Sequence, residues 1–106
     1  MSDWINVAKV GELALGQWRV VDADGAQIVV FNLGGEYFAI EDVCTHDGGQ
    51  LTGGTVEGDQ IICPRHGAHF CIRTGEALSA PAYEPTAKFP VRVEGGEIQT
   101  RDDRWD

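Results

Sequence analysis

The chain has 106 residues, 42% of them hydrophobic, with 17 acidic against 8 basic side chains and a formal net charge of −9. That length holds one domain (1–106) with a single modest core. The acidic balance disfavours nucleic acid and anionic lipid, and suits either a positively charged protein partner or solubility alone. The longest unbroken aliphatic or aromatic run is Ile28-Val29-Val30-Phe31, and Met1-Ser2-Asp3-Trp4-Ile5 lacks the basic and apolar regions of a leader, so neither a membrane span nor a signal peptide is expected. The expected compartment is cytoplasmic, where thiols stay reduced.

Taken in order, the chain shows strand signals and no internal repeat, low-complexity tract or linker. Gln17 to Val21 alternates and ends in Asp22-Ala23-Asp24-Gly25, whose Asp-Gly favours a tight hairpin turn. Gln27 to Leu33 runs into Gly34-Gly35, and Glu36 to Ile40 returns as a second hairpin that delivers the chain to Cys44. Thr55-Val56-Glu57 and Gln60-Ile61-Ile62 flank Gly58-Asp59, a third hairpin leading to Cys63. Phe89, Val91 and Val93 alternate with Pro90, Arg92 and Glu94 before Gly95-Gly96 turns the chain into Glu97-Ile98-Gln99-Thr100. No window of about a dozen residues has an apolar stripe of helical period. The expected fold class is all-β, a small antiparallel sandwich or barrel of short strands.

The chemistry is concentrated between Cys44 and Cys71. Cys44-Thr45-His46 and Cys63-Pro64-Arg65-His66 are separated by 16 residues, and Gly48, Gly49, Gly53, Gly54, Gly58, Gly67 and Gly75 surround them. A thiolate and an imidazole one or two residues apart can aim at one centre from a tight turn. Two such turns, tip to tip, offer two sulfur and two nitrogen ligands. That set suits one tetrahedral zinc or a 2Fe–2S cluster with Cys on one iron and His on the other. Ligand count alone leaves both open. Zinc-finger spacings usually repeat C-x-x-C and H-x-x-x-H, whereas these pairs are mixed.

The pattern C-x-H, about sixteen residues, C-x-x-H, continuing into Thr74-Gly75 and the proline loop Ser79-Ala80-Pro81-Ala82, resembles the cluster-binding segment of Rieske proteins. The resemblance implies a Rieske fold with a cluster-binding segment of two ligand loops at about 43–83. Cys44 and Cys63 would bind one iron, and His46 and His66 the other. Respiratory members of the family carry a membrane anchor and clip their ligand loops with a disulfide; the matching positions here are Gly49 and Arg65, which cannot form one. Where those members place hydroxyls near the sulfurs, this chain has Ala68 and Phe70, so a low potential is expected, toward the bottom of the roughly −150 to +300 mV Rieske span.

Phe70-Cys71-Ile72-Arg73-Thr74-Gly75 resembles the ferredoxins of biphenyl-type aromatic-ring-hydroxylating dioxygenases. Cys71 is expected as a small buried side chain in a strand. His69 is expected to lie partly exposed beside the cluster loop without a redox role. Trp4, Trp18 and Trp105 read as packing residues, although Trp105, in the polar tail Arg101-Asp102-Asp103-Arg104-Trp105-Asp106, is equally compatible with an exposed position. By this resemblance the chain is an electron carrier and not an enzyme, and is expected as a monomer. A flavin-dependent NAD(P)H-oxidising ferredoxin reductase stands upstream and a terminal non-haem iron oxygenase of aromatic hydrocarbon catabolism downstream. The chain itself shows no G-x-G-x-x-G fingerprint and no mononuclear iron triad. Two other readings are the small subunit of an assimilatory nitrite reductase and a zinc-stabilised binding domain.

Overall fold

A computed structural model of the protein describes residues 3–104. Strands β1 (Ile5–Lys9), β2 (Trp18–Ala23), β3 (Ala26–Leu33), β4 (Glu36–Glu41) and β5 (Thr55–Glu57) are followed by β6 (Gln60–Ile62), β7 (His69–Cys71), β8 (Lys88–Phe89), β9 (Val91–Glu94) and β10 (Glu97–Thr100). The helical element among the described residues is one short 3-10 turn at Val10–Glu12, so the all-β expectation holds. The strands form antiparallel sheets ordered β1-β10-β9, β2-β3-β4-β8 and β5-β6-β7. The expected hairpins are present: Ala23 pairs with Ala26, Leu33 with Glu36, Glu57 with Gln60, and Glu94 with Glu97.

Strand β3 is the centre of the sandwich. Its successive side chains point to opposite faces. Val29 and Phe31 enter an apolar cluster with Ile40, Leu51, Ile61, Phe70, Ile72 and the sulfurs of Cys44 and Cys63. Ile28 and Val30 enter a second cluster with Val7, Leu13, Phe89 and Ile98. The single modest core expected from length is therefore corrected: the central sheet is covered on both faces. Double-sided burial also explains why Ile28 to Phe31 is an unbroken apolar run and not an alternating one.

Two further expectations change. The alternation from Phe89 to Val93 is not one half-buried strand. Pro90 offers no N–H to a ladder, and here the chain leaves β4 and joins β10. Phe89 is buried whereas Val93, on the edge strand β9, is exposed. Trp18 is also exposed, while Trp4 is half-buried with the Arg92 and Arg101 guanidinium groups 4.3 and 5.3 Å from its ring centre. Trp105 lies outside the described residues.

The connection from β7 to β8 is fastened by its backbone. Leu78 N–H donates to His69 O at 2.7 Å, Gly75 N–H to Cys71 O at 2.7 Å and Thr86 N–H to Gly75 O at 2.8 Å. Gly75 has φ +82°, and a Cβ there would stand 2.3 Å from Thr86 O. Gly75→Ala is expected to destabilise the protein by about 2–5 kcal/mol, combining a left-handed backbone penalty with overpacking. Gly11→Ala meets no heavy atom within 4 Å and should be near neutral. Urea unfolding, read as a shift of midpoint at constant slope, checks the pair.

Candidate metal centre

Strands β4 and β6 deliver the chain to two loops with the same backbone frame. In one, Cys44 N–H donates to Gly49 O at 2.7 Å and Gly48 N–H to Cys44 O at 2.7 Å. In the other, Cys63 N–H donates to Ala68 O at 2.8 Å and Gly67 N–H to Cys63 O at 3.0 Å. Gly48 (φ 76°) and Gly67 (φ 74°) occupy equivalent left-handed positions, which glycine adopts without a Cβ penalty. The unequal spacings C-x-H and C-x-x-H are thus carried on matched turns.

The structure brings all four candidate residues to these loops and separates them by depth. Cys44 and Cys63 are buried, and His46 and His66 are exposed. The imidazole rings meet edge to face, with centres 5.1 Å apart and planes at 86°. The two sulfurs lie within 4.8 Å of each other and of an Asp47 carboxylate oxygen, and so do nitrogens of the two imidazoles. Among the described residues no set of three or more such donors unites a sulfur with an imidazole.

Burial pushes the Cys44 thiol up, against the backbone N–H groups of His46 and Asp47 that draw it down, and the neighbouring Cys63 adds to the rise. At Cys63 burial acts in the same sense but is outweighed by the N–H groups of Arg65 and His66 and by the hydrogen bond with Cys44, so that thiol is pulled down. Of the two crowded sulfurs, that of Cys63 is the readier to give up its proton to a metal, while Cys44 would need the metal's own charge to do so.

Two sulfurs beneath two imidazoles suit a diiron cluster with unlike ligands on its irons. A single zinc, with Zn–S near ~2.3 Å and Zn–N near ~2.0 Å, would draw all four donors to within about 4 Å of one another. The separated donor pairs do not have that form. Residues 3–90 match the family model described as the Rieske [2Fe-2S] domain.

The chain belongs to the Rieske [2Fe-2S] domain family. Its cofactor is accordingly one Rieske-type 2Fe–2S cluster. The 3-phenylpropionate/cinnamic acid dioxygenase ferredoxin subunit of Escherichia coli (strain K12) is 47% identical over 72 residues, covering 67% of this chain and 68% of the relative. The biphenyl dioxygenase ferredoxin subunit of Pseudomonas sp. (strain KKS102) is 39% identical over 90 residues, covering 84% of this chain and 83% of the relative. A solved complex of reduced oxygenase and oxidized ferredoxin in carbazole 1,9a-dioxygenase contains a chain of TM-score 0.88 and 35% identity, with 95% of this chain and 94% of that chain covered.

Other residues of this Rieske chain take places that their local sequence only partly signals. His69 lies in β7, half-buried, with Nδ1 2.8 Å from Gln60 Oε1 and its N–H donated to Ser79 Oγ at 3.0 Å. Cys71 is in the same strand but half-exposed and not buried as expected, since β7 is an edge strand whose alternation puts Phe70 inside. Ala68 and Phe70 are fully buried. Thr45 Oγ1 donates to Glu84 O at 2.6 Å, tying the first loop to the chain after Pro81.

Asp42 escaped sequence reasoning. Its buried carboxylate accepts the N–H groups of Leu51 and Thr52 through Oδ1, both at 2.8 Å, and the Thr52 hydroxyl through Oδ2 at 2.7 Å. It therefore spans the first loop and fixes its exit relative to its entry. An acidic side chain two residues before a Cys/His pair is the available signal, but its partners lie nine and ten residues on. Asp42→Ala should cost about 2–4 kcal/mol, because it leaves buried N–H groups without an acceptor. Asp42→Asn, which keeps one carbonyl, should cost less. Denaturant titration of both variants, with iron content measured alongside, checks this.

Proposed function

We propose that the chain, as one Rieske domain over 1–106 with its cluster-binding segment at about 43–83, is a soluble one-electron carrier. In this reading Cys44 and Cys63 hold one iron of the cluster, and His46 and His66 hold the other. The observation that carries the reading is the division by depth: a buried sulfur pair below an exposed, mutually contacting imidazole pair. The cluster supplies reversible one-electron redox chemistry when bound. The chain's own residues do the rest: the loop peptides present N–H groups to the sulfurs, β3 and its neighbours keep water from them, and the exposed imidazoles offer a partner close approach.

The relatives are ferredoxin subunits of dioxygenase systems, and a structurally similar chain forms a complex that includes an oxygenase. These support an electron-transfer component that is not itself the enzyme and that serves a terminal non-haem iron oxygenase acting on an aromatic substrate. Upstream we place a flavin-dependent NAD(P)H ferredoxin reductase, and we place the carrier in the cytoplasm as a monomer. No helix among the described residues is long and apolar enough to cross a membrane.

A low midpoint is part of the proposal. Ala68 is fully buried next to the second loop, and Phe70 packs in the same apolar cluster as Cys44 and Cys63, and neither side chain has a hydroxyl to donate. Hydrogen bonds to sulfur favour the electron-rich reduced state, so their absence lowers the potential.

The primary test is the iron-loaded protein itself. It should be coloured, contain two irons and no zinc per chain, and give a rhombic electron paramagnetic resonance signal after dithionite. Cys44→Ser, His46→Ala, Cys63→Ser and His66→Ala should each abolish that signal. A colourless zinc protein would overturn the reading. In voltammetry the midpoint should fall below zero at neutral pH, and Ala68→Ser and Phe70→Tyr should each raise it by on the order of tens of millivolts.

A further inference from the structure

The two ligand loops touch through more than the cluster they are proposed to hold. Arg65, between Pro64 and His66, donates from Nε to Asp47 Oδ2 and from Nη2 to Asp47 Oδ1 at 3.0 Å. Asp47 follows His46 in the other loop. Its Oδ1 also accepts the Gly49 N–H at 2.9 Å, and Gly49 O in turn accepts the Cys44 N–H at 2.7 Å. The guanidinium is seated on Gly49, where a Cβ would stand 2.5 Å from Cζ, 2.6 Å from Nη2 and 2.9 Å from Nε. Gly49 has an ordinary negative or extended φ, so its missing side chain is explained by this seat and not by backbone strain.

We propose that Asp47 and Arg65, seated over Gly49, form a polar clip that holds the two ligand loops at the spacing the cluster needs. The proposal rests on the ligand reading above. A lone exposed ion pair contributes little to stability. Here both carboxylate oxygens and two guanidinium nitrogens are engaged, and the fork geometry fixes direction as well as distance. The seat adds a second constraint, because any side chain at position 49 displaces the arginine. The pair joins residues 18 positions apart that each adjoin a candidate histidine ligand. The clip thus positions His46 and His66 relative to each other. Because the Arg65 side chain is 36% exposed and that of Asp47 22% exposed, salt reaches the pair and weakens it.

The test is made on the loaded protein, following loss of visible absorbance to an iron chelator. Asp47→Asn, which keeps an acceptor for Gly49, and Arg65→Gln should each load with iron and then release it about 10- to 100-fold faster than wild type. Gly49→Ala, which alters no charge, should do the same. The Asp47→Asn/Arg65→Gln double variant should be no faster than the faster single variant. Salt should speed release from wild type but not from the double variant. The reduced variants should show broadened electron paramagnetic resonance lines, which a loss of general stability alone would not produce. If Arg65→Gln fails to load, Arg65→Lys takes its place in the same cycle. Wild-type release rates in all three single variants, or multiplicative effects in the double variant, would overturn the clip. Failure of the ligand reading looks different: wild-type protein would then give no rhombic signal for the variants to perturb.

Discussion

Two sulfurs within 4.8 Å of each other in an apolar interior are the constraint on which the structure turns. As paired thiolates they repel, and burial raises the cost of charging them. Two features work against that cost within the chain, outweighing it at Cys63 and only reducing it at Cys44. Peptide N–H groups of His46, Asp47, Arg65 and His66 point at the sulfurs, and each loop is closed on itself by a matched pair of backbone hydrogen bonds. Short, self-closed loops present several peptide dipoles to one atom because their N–H groups have no strand to pair with. The same closure leaves the loop tips outside, so the imidazoles are exposed where the sulfurs are buried.

Holding those loops is the work of the β scaffold. Strand β3 carries one apolar face toward the sulfurs and the other toward the sheet formed by β1, β10 and β9. The sheet of β5, β6 and β7 closes over the sulfur side through Ile61 and Phe70. Interiors packed at crystal-like density transmit displacement and do not absorb it. A change in β3 therefore moves both loops together, while a change in Asp42 or Gly75 moves one connection against the rest. An electron carrier benefits from that stiffness, since small changes in metal geometry cost little reorganisation when the ligands barely move.

The parts of this fold visible in the sequence are those decided within a few residues. Asp24-Gly25, Gly34-Gly35, Gly58-Asp59 and Gly95-Gly96 fix hairpins locally, and the Cys/His pairs are contiguous. Strand β1 was not legible, because it pairs with β10 at the far end of the chain and is interrupted by a register shift between Asn6 and Ala8. A strand is expected at Cys71, but β7 is three residues long and has no tight hairpin turn beside it to set its bounds. Double-sided burial of β3 left a mark, since Ile28 to Phe31 does not alternate, but so short an apolar run does not say which elements cover it. Asp42 and the Asp47–Arg65 pair were hidden for another reason: each acts on residues brought near only by folding, and an acidic or basic residue beside a metal motif carries no local mark of its partner.

Charge links the centre to its surface. The oxidised cluster's two positive charges and two thiolates cancel, so the chain keeps its formal −9, and reduction adds one more negative charge. In the proposed reading, with no hydroxyl at Ala68 or Phe70 to stabilise that added charge at the sulfurs, the electron would be held weakly and readily passed on. An acidic surface acts in the same direction, since net negative charge raises the energy of a reduced form and favours encounter with positively charged proteins. The Asp47–Arg65 pair stands apart from that field. Being neutral as a pair, it can fix the distance between loops without adding to the charge beside the histidines, which a lone lysine or aspartate at either position could not do.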